Sequence, residues 1–391
     1  MQVNPSRDPQ EHLLERRVDY PILSRSTYLI NNSLGAMHRE TRKRLQDYAD
    51  LWDTEGVVAW NTWFPEMTHV ANLVGATIGA PPGTTVLRQS VADAIVAVAS
   101  CFDLRDRRNR IVTTAADWPG THYFWTEHCS RYGGELVVVP FEPDGLTIDV
   151  DRIAASITDT TLLVSVSLVQ FRTSALLDLA PVVEAAHRHG ALVLLDAYQA
   201  AGTVPLDVVA EGVDFCVGGS VKFLCGGPGN GWLYVRPDLA ETLRPAAVGW
   251  ISHEQPFDFD PELAYGEGVK RFRGGTPGVP AAYAAAPAYA ALLDIGMDRV
   301  RERSQSMTQP LLEAALERGF TVRSPYEPAQ RGGHVTIDPG DAERVHEALI
   351  ARGFVVDHRP GVGIRVSPHF YNSLDEALAC LDAMAEVLAA R

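Results

Sequence analysis

The stretch "DAYQAAGTVPLDVVAEGVDFCVGGSVKFLCGGPGNGWLYV", residues 196–235, opens on an aspartate and closes on an apolar run. Between them a single lysine, Lys222, sits between two glycine pairs. A lysine so placed is a structural residue, an anion contact, or an amine that forms a covalent bond. Asp196 ends "ALVLLD" (191–196). A carboxylate there is either a turn residue or a functional group at the carboxyl end of a buried strand, where open α/β sheets gather their ligands.

Working outward, short β-branched runs alternate with helix-like segments. They are "TTVLR" (84–88), "RIVTT" (110–114), "ELVVV" (135–139), "LLVSVS" (162–167), "ALVLLD", "DFCVG" (214–218) and "GWLYV" (231–235). In "DLAPVVEAAHRHG", Leu179, Val182, Val183 and Ala186 share one helical face, and Gly190 suits the helix end. Strands apolar on both faces and joined by helices predict an α/β fold, a mostly parallel seven-stranded sheet covered on both sides. After about residue 300 the pattern becomes helix, "GGHVTID", helix, "FVVDH", "GIRVS", helix, which reads as a small α+β domain. The expected organisation is an N-terminal segment (1–50) packing with the small domain, a large domain (51–298) and the small C-terminal domain (299–391).

Composition excludes several classes. The 391 residues are 46% hydrophobic and 21% charged, the balance of an ordinary globular protein. A net charge of −15, with no basic stripe, argues against a nucleic-acid partner. The five cysteines (101, 129, 216, 225 and 380) are scattered and suit a reducing compartment. The polar N-terminus has no apolar signal core, and "VPAAYAAAPAYAALLDIG" is Ala-rich and expected to be broken by Pro287, so it reads as a core helix. The expectation is a cytoplasmic protein with no membrane contact. His187 and His189 form an H-x-H pair with no evident third ligand, so no metal is expected.

Other polar residues fall at the same end of the sheet as Asp196. Ser90 follows "TTVLRQ" and opens a helix, where free backbone N–H groups attract an anion; a plain N-cap is the alternative. Trp118, in "ADWPGTH", supplies a flat ring or is ordinary packing. An anion site, a flat ring, a carboxylate and a lysine together suit pyridoxal 5'-phosphate, whose aldehyde bonds a lysine and whose ring nitrogen needs a carboxylate. The glycines around Lys222 are expected to give its loop freedom to reach the ring.

At these residues the chain resembles the class V, fold-type I pyridoxal phosphate enzymes, and kynureninases most closely. The resemblance is carried by "YLINNSLGAMHRET", "AWNTW", "DWPGTH", the Asp196–Lys222 block, "VGWISH", "RFRGGTP", "RGGHVTID" and "GIRVSPHFYN". It implies that Lys222 is the covalent anchor and that Asp196 pairs with the ring nitrogen. Gln199 would lie near the cofactor's phenolic oxygen, Trp118 would stack on the ring, and Ser90, Val91 and Ser167 would surround phosphate and ring. Trp250 and Thr276 would contact phosphate from a neighbouring subunit, which makes a homodimer. Arg365 would clamp a substrate α-carboxylate, and Asn32 and Ser33 would also bind the substrate. Trp60, Trp63 and Tyr371 either line the side-chain pocket or belong to the core.

Three departures bear on the reaction. Val221 stands where kynureninases carry tyrosine, Gln199 where they usually carry histidine, and Cys225 where they carry asparagine. Losing the tyrosine and histidine donors leaves cofactor binding intact and shifts the expected chemistry from hydrolytic C–C cleavage toward cleavage at Cβ, a C–S or similar β-elimination. The path would run through the external aldimine and quinonoid common to such enzymes. Kynurenine hydrolysis, decarboxylation with oxidative deamination, transamination and epimerisation stay open, as does a non-catalytic sensor. Cys225 lies too close to Lys222 to serve as a mobile nucleophile, and Arg172 would read either an acidic substrate tail or the phosphate.

Overall fold

The computed structural model describes residues 11–390. Seven strands form one sheet: β1 (Thr85–Arg88), β2 (Arg110–Thr114), β3 (Glu135–Val139), β4 (Thr161–Ser167), β5 (Leu192–Asp196), β6 (Phe215–Gly219) and β7 (Gly231–Val235). Their spatial order is β1-β7-β6-β5-β4-β2-β3, and only β7 runs against the others. Side chains alternate between two apolar layers. Val193 and Leu195 enter one layer and Leu194 the other, as period-two geometry requires. The helix Ala180–Arg188 buries Val182, Val183 and Ala186 against the sheet, and Gly190 takes a positive φ of 68° just beyond it.

A second, antiparallel sheet has the order β10-β11-β9-β8, from β8 (Thr321–Val322), β9 (Val335–Asp338), β10 (Asp357–Arg359) and β11 (Gly363–Val366). The helices Met297–Glu317, Ala342–Ala351 and Leu374–Ala389 cover it around a separate core that includes Ile337, Ile364 and Leu381. Thr27–Tyr28 pairs in parallel with Phe354–Val355 beside this unit. The helix Glu40–Glu55 instead lies on the helix Val279–Ile295, where Thr41 donates to the Ala284 carbonyl. The segment before residue 50 therefore touches both units, since its strand and its helix face different neighbours. The N-terminal residues 1–10 lie outside the described residues.

Pro287 does not break its segment. Val279–Ile295 is one helix with the proline inside it. A proline removes one backbone hydrogen bond, and here burial of Ala282, Ala285, Ala288, Tyr289 and Leu292 holds the helix through it. Among the described residues no helix is long and apolar enough to cross a membrane.

Candidate active site

Asp196 ends β5 and Lys222 follows β6, the neighbouring strand, so the parallel register carries carboxylate and amine to one edge of the sheet. A cavity of about 270 Å³ opens there, lined among others by Ser90, Val91, Trp118, Asp196, Tyr198 and Asn230. The Lys222 Nζ lies 4.0 Å from the centroid of the Tyr198 ring and 5.6 Å from that of Trp118. Burial drives the Lys222 amine well below the ordinary lysine range, opposed by the charge of Asp196. Burial likewise pushes the Asp196 carboxyl up, opposed by the Tyr198 N–H, which donates to it at 2.8 Å, and by Lys222.

Glycine-flanked as it is, the lysine loop is clamped. Gly35 N–H donates to the Val221 carbonyl at 2.7 Å, Cys225 N–H to Lys222 O at 2.9 Å, and Gly226 N–H to Ser220 O at 2.7 Å. His369 Nε2 lies 2.8 Å from the Phe223 carbonyl oxygen. Three of the four flanking glycines, Gly218, Gly219 and Gly226, serve close approach, while Gly227 takes a positive φ of 77° in open space. A Cβ on Gly226 would stand 2.9 Å from those of Ser220 and Ala285.

Ser90 caps the helix Val91–Ala99, its Oγ accepting from the Asp93 N–H at 3.2 Å. It is thus an N-cap and a cavity residue at once. Trp118 is 43% exposed and meets Phe171 edge-on at 5.0 Å. Ser167 pairs in register with Asp196, and its N–H donates to Asp117 Oδ1 at 2.6 Å. Buried Asp117 also accepts from Thr113 and Thr114, which fixes the turn that presents Trp118. Gln199 is buried, its Nε2 donating to the Asn32 carbonyl at 3.1 Å while its Oε1 has no partner.

Arg365 is 1% exposed, and each of its three guanidinium nitrogens donates to a protein oxygen. Nε donates to Asp357 at 2.5 Å and Nη1 to the Phe171 carbonyl at 2.6 Å. The Asn32 amide oxygen, turned to satisfy both groups, accepts from Nε at 2.9 Å. Ser33 lies in the next turn, its N–H on the Ile30 carbonyl. Trp250 and Thr276 are hydrogen-bonded to each other at 3.0 Å. Trp250 belongs to an aromatic surface cluster with Trp60, Phe64, Phe257 and Phe259, outside the cavity beside Asp196. Thr276 lines a neighbouring recess that shares Gln89 and Asn230 with that cavity. Trp63 and Tyr371 are core residues, packed with Tyr283 and Tyr20 respectively. Arg172 stands over the Phe141 ring at 5.8 Å. His187 and His189 pair with separate carboxylates, Asp214 and Asp159.

Four residues escaped the sequence reading. Asp357 holds Arg365, Asp117 holds Trp118, and Tyr198 lies against Lys222. His334 is wholly buried with neither ring nitrogen partnered, one residue before β9 and so on the same face as Thr336, which is in register with Arg365. Burial and the charges of Arg365 and Lys222 keep it neutral. For Tyr198, its place between Asp196 and Gln199 was the available signal; strand pairing is needed for the others.

These features define an α/β protein with a lysine–aspartate site at the strand ends. The family model for aminotransferase class-V matches residues 53–374. The chain is 33% identical to an uncharacterized aminotransferase, YcbU, of Bacillus subtilis (strain 168), covering 96% of this chain and 98% of that one. It is 27% identical to a kynureninase of Bacillus anthracis, over 94% and 90% of the two chains. Similar solved structures include a cysteine desulfurase from Thermococcus onnurineus NA1, with a TM-score of 0.86 at 22% identity over 100% of both chains. Another is the cystine C–S lyase C-DES, with a TM-score of 0.83 at 20% identity over 94% of this chain and 99% of that one. The chain belongs to the aminotransferase class-V family and has the fold-type I architecture. Pyridoxal phosphate is the cofactor of these enzymes.

Proposed function

We propose that this protein cleaves a bond at Cβ of a small α-amino acid, releasing a sulfur or similar leaving group by β-elimination, and that it works as a homodimer. In this reading Lys222 anchors pyridoxal phosphate, Asp196 holds its ring nitrogen protonated, Trp118 covers the ring and Gln199 reaches its phenolic oxygen. Ser90, Val91 and Ser167 surround phosphate and ring, Trp250 and Thr276 contact the phosphate from the other subunit, and Arg365 with Asn32 and Ser33 orients the substrate carboxylate.

The residues fit the group. The buried Gln199 Oε1 has no partner and is open to a further polar group, and Asp196, whose charge burial disfavours, gains a cationic partner in a pyridinium. When bound, pyridoxal phosphate withdraws electrons from the substrate Cα. Lys222, its amine stripped of water by burial, would take the Cα proton and pass it to the thiolate that leaves Cβ. Trp118 and the Arg365 fork fix the substrate plane, and Arg365 suits a planar carboxylate.

The observation that carries the elimination reading is the cavity lining. Val221 is apolar there, and among the described lining residues Asp196 and Tyr198 are the titratable ones. Elimination needs one base at Cα, whereas hydrolytic C–C cleavage also needs an activated water and a donor to a ketone. A desulfurase route is disfavoured because Cys225 is buried, its thiol pushed up to about 12 by burial. Purified protein with cysteine S-conjugates should yield pyruvate, ammonia and thiol, with a visible absorption band that vanishes in Lys222→Ala. Alanine and anthranilate from kynurenine, with no pyruvate from S-conjugates, would defeat the elimination reading.

A further inference from the structure

Two glycines face each other in register where β6 meets β7, Gly219 and Gly231. Cβ atoms at such a pair would point the same way, about 5 Å apart. A Cβ on Gly219 would stand 2.7 Å from Cζ and 2.8 Å from the hydroxyl oxygen of Tyr198. One on Gly231 would stand 2.5 Å from the carbonyl carbon and 2.8 Å from Cα of Ser90. The missing side chains therefore form a notch that seats the Tyr198 phenol beside the start of the helix Val91–Ala99. Asn230, next to Gly231 and 5% exposed, lines the same cavity with its Nδ2 unpartnered.

We propose that Tyr198 and Asn230 donate hydrogen bonds to a phosphate-sized anion at the N-terminus of this helix, the phosphate of the cofactor in the reading above. An orphaned amide N–H in a cavity wall is costly unless a ligand accepts from it. The helix contributes the Val91 and Ala92 N–H groups, since its third is taken by Ser90 Oγ. Two carboxylates lie close by: Asp93 is turned back onto Arg88 at 2.8 Å and onto the Gln89 N–H at 3.2 Å, and Asp196 accepts from the Tyr198 N–H at 2.8 Å. Burial pushes the Tyr198 phenol up to about 12, which keeps it a neutral donor at working pH.

The test rests on apoprotein titrated separately with pyridoxal phosphate, pyridoxal and inorganic phosphate. Tyr198→Phe and Asn230→Ala should each weaken pyridoxal phosphate binding about tenfold or more, the usual scale of a bond to a charged group. Pyridoxal binding should not change, and inorganic phosphate affinity should fall with that of the cofactor. Equal losses for pyridoxal and its phosphate, or no loss for either, would overturn the assignment. Melting temperatures screen for misfolding, and Asn230→Asp, which sets a charge against the anion, replaces Asn230→Ala if that variant does not fold. A wild type with no Lys222-dependent absorption band sinks the cofactor reading alone. The inorganic phosphate measurement then still decides this one, supporting it if both variants lose affinity and overturning it if neither does.

Discussion

Asp357 and Arg365 stand directly opposite each other on β10 and β11, and one Asp357 oxygen accepts from both Nε and Nη2 of the buried guanidinium. The pair aims the fork that the proposed substrate carboxylate would meet. Breaking a buried pair strands a charge, so Asp357→Ala should lower stability by about 3 kcal/mol. Urea unfolding should show an earlier midpoint with an unchanged slope, and an unmoved midpoint would mean the pair does not hold Arg365.

His369 should make stability fall in mild acid. Burial lowers its folded pKa to about 4, below the unfolded value of about 6.5. Between those values the unfolded chain holds the extra proton, so stability is present above pH 6.5 and is lost as pH falls toward 4. From pH 6.5 to 5 the loss from this group is about 1–2 kcal/mol. Because His334 adds in the same sense, the check is the difference in slope between wild type and His369→Gln, whose amide still reaches the Phe223 carbonyl.

Gly35 should not tolerate a methyl group. A Cβ there would lie 2.6 Å from Cys225 Sγ and 2.9 Å from Cys225 Cα, and closer still to the Lys222 carbonyl oxygen. Backbone must shift, and overpacking of this kind costs about 1–3 kcal/mol. Gly35→Ala is expected to shift or erase the Lys222-dependent absorption band while circular dichroism stays close to wild type. An unaltered band would show the clamp to be unimportant.

The exposed aromatic cluster supports the dimer proposal. Phe257 and Phe259 are 51% and 73% exposed beside Trp250, an unusual apolar surface for a protein that works alone. Sedimentation should give a dimer, and Phe257→Asp with Phe259→Asp should give monomers with weakened cofactor retention. A wild-type monomer at micromolar concentration would rule the proposal out.

The seven strands were legible because each is a short apolar run bounded by turn residues, and Asp196 was legible because it ends one of them. Within the described residues, the antiparallel course of β7 was not, since "GWLYV" reads alike in either direction. Pro287 misled because local propensity forbids what burial of the surrounding alanines permits. The hydrogen bonds that hold the Lys222 loop were not legible for a related reason. Glycine grants freedom to a chain in isolation, but at Gly218, Gly219 and Gly226 it also admits close neighbours from distant segments. Trp63 and Tyr371 were ambiguous because aromatic residues serve pockets and cores equally well.

By itself the sequence determined the α/β architecture, the order of strands and helices, and the pairing of a strand-end carboxylate with one lysine. Those follow from local periodicity and from chemistry carried within one block of chain. Only the tertiary structure decided that Asp357 faces Arg365, that Gly35 clamps Val221, and that Tyr198 and Asn230 share one notch with the start of a helix. Each of these contacts joins segments separated along the chain, and strand register, set by burial of both sheet faces, is what brings them together.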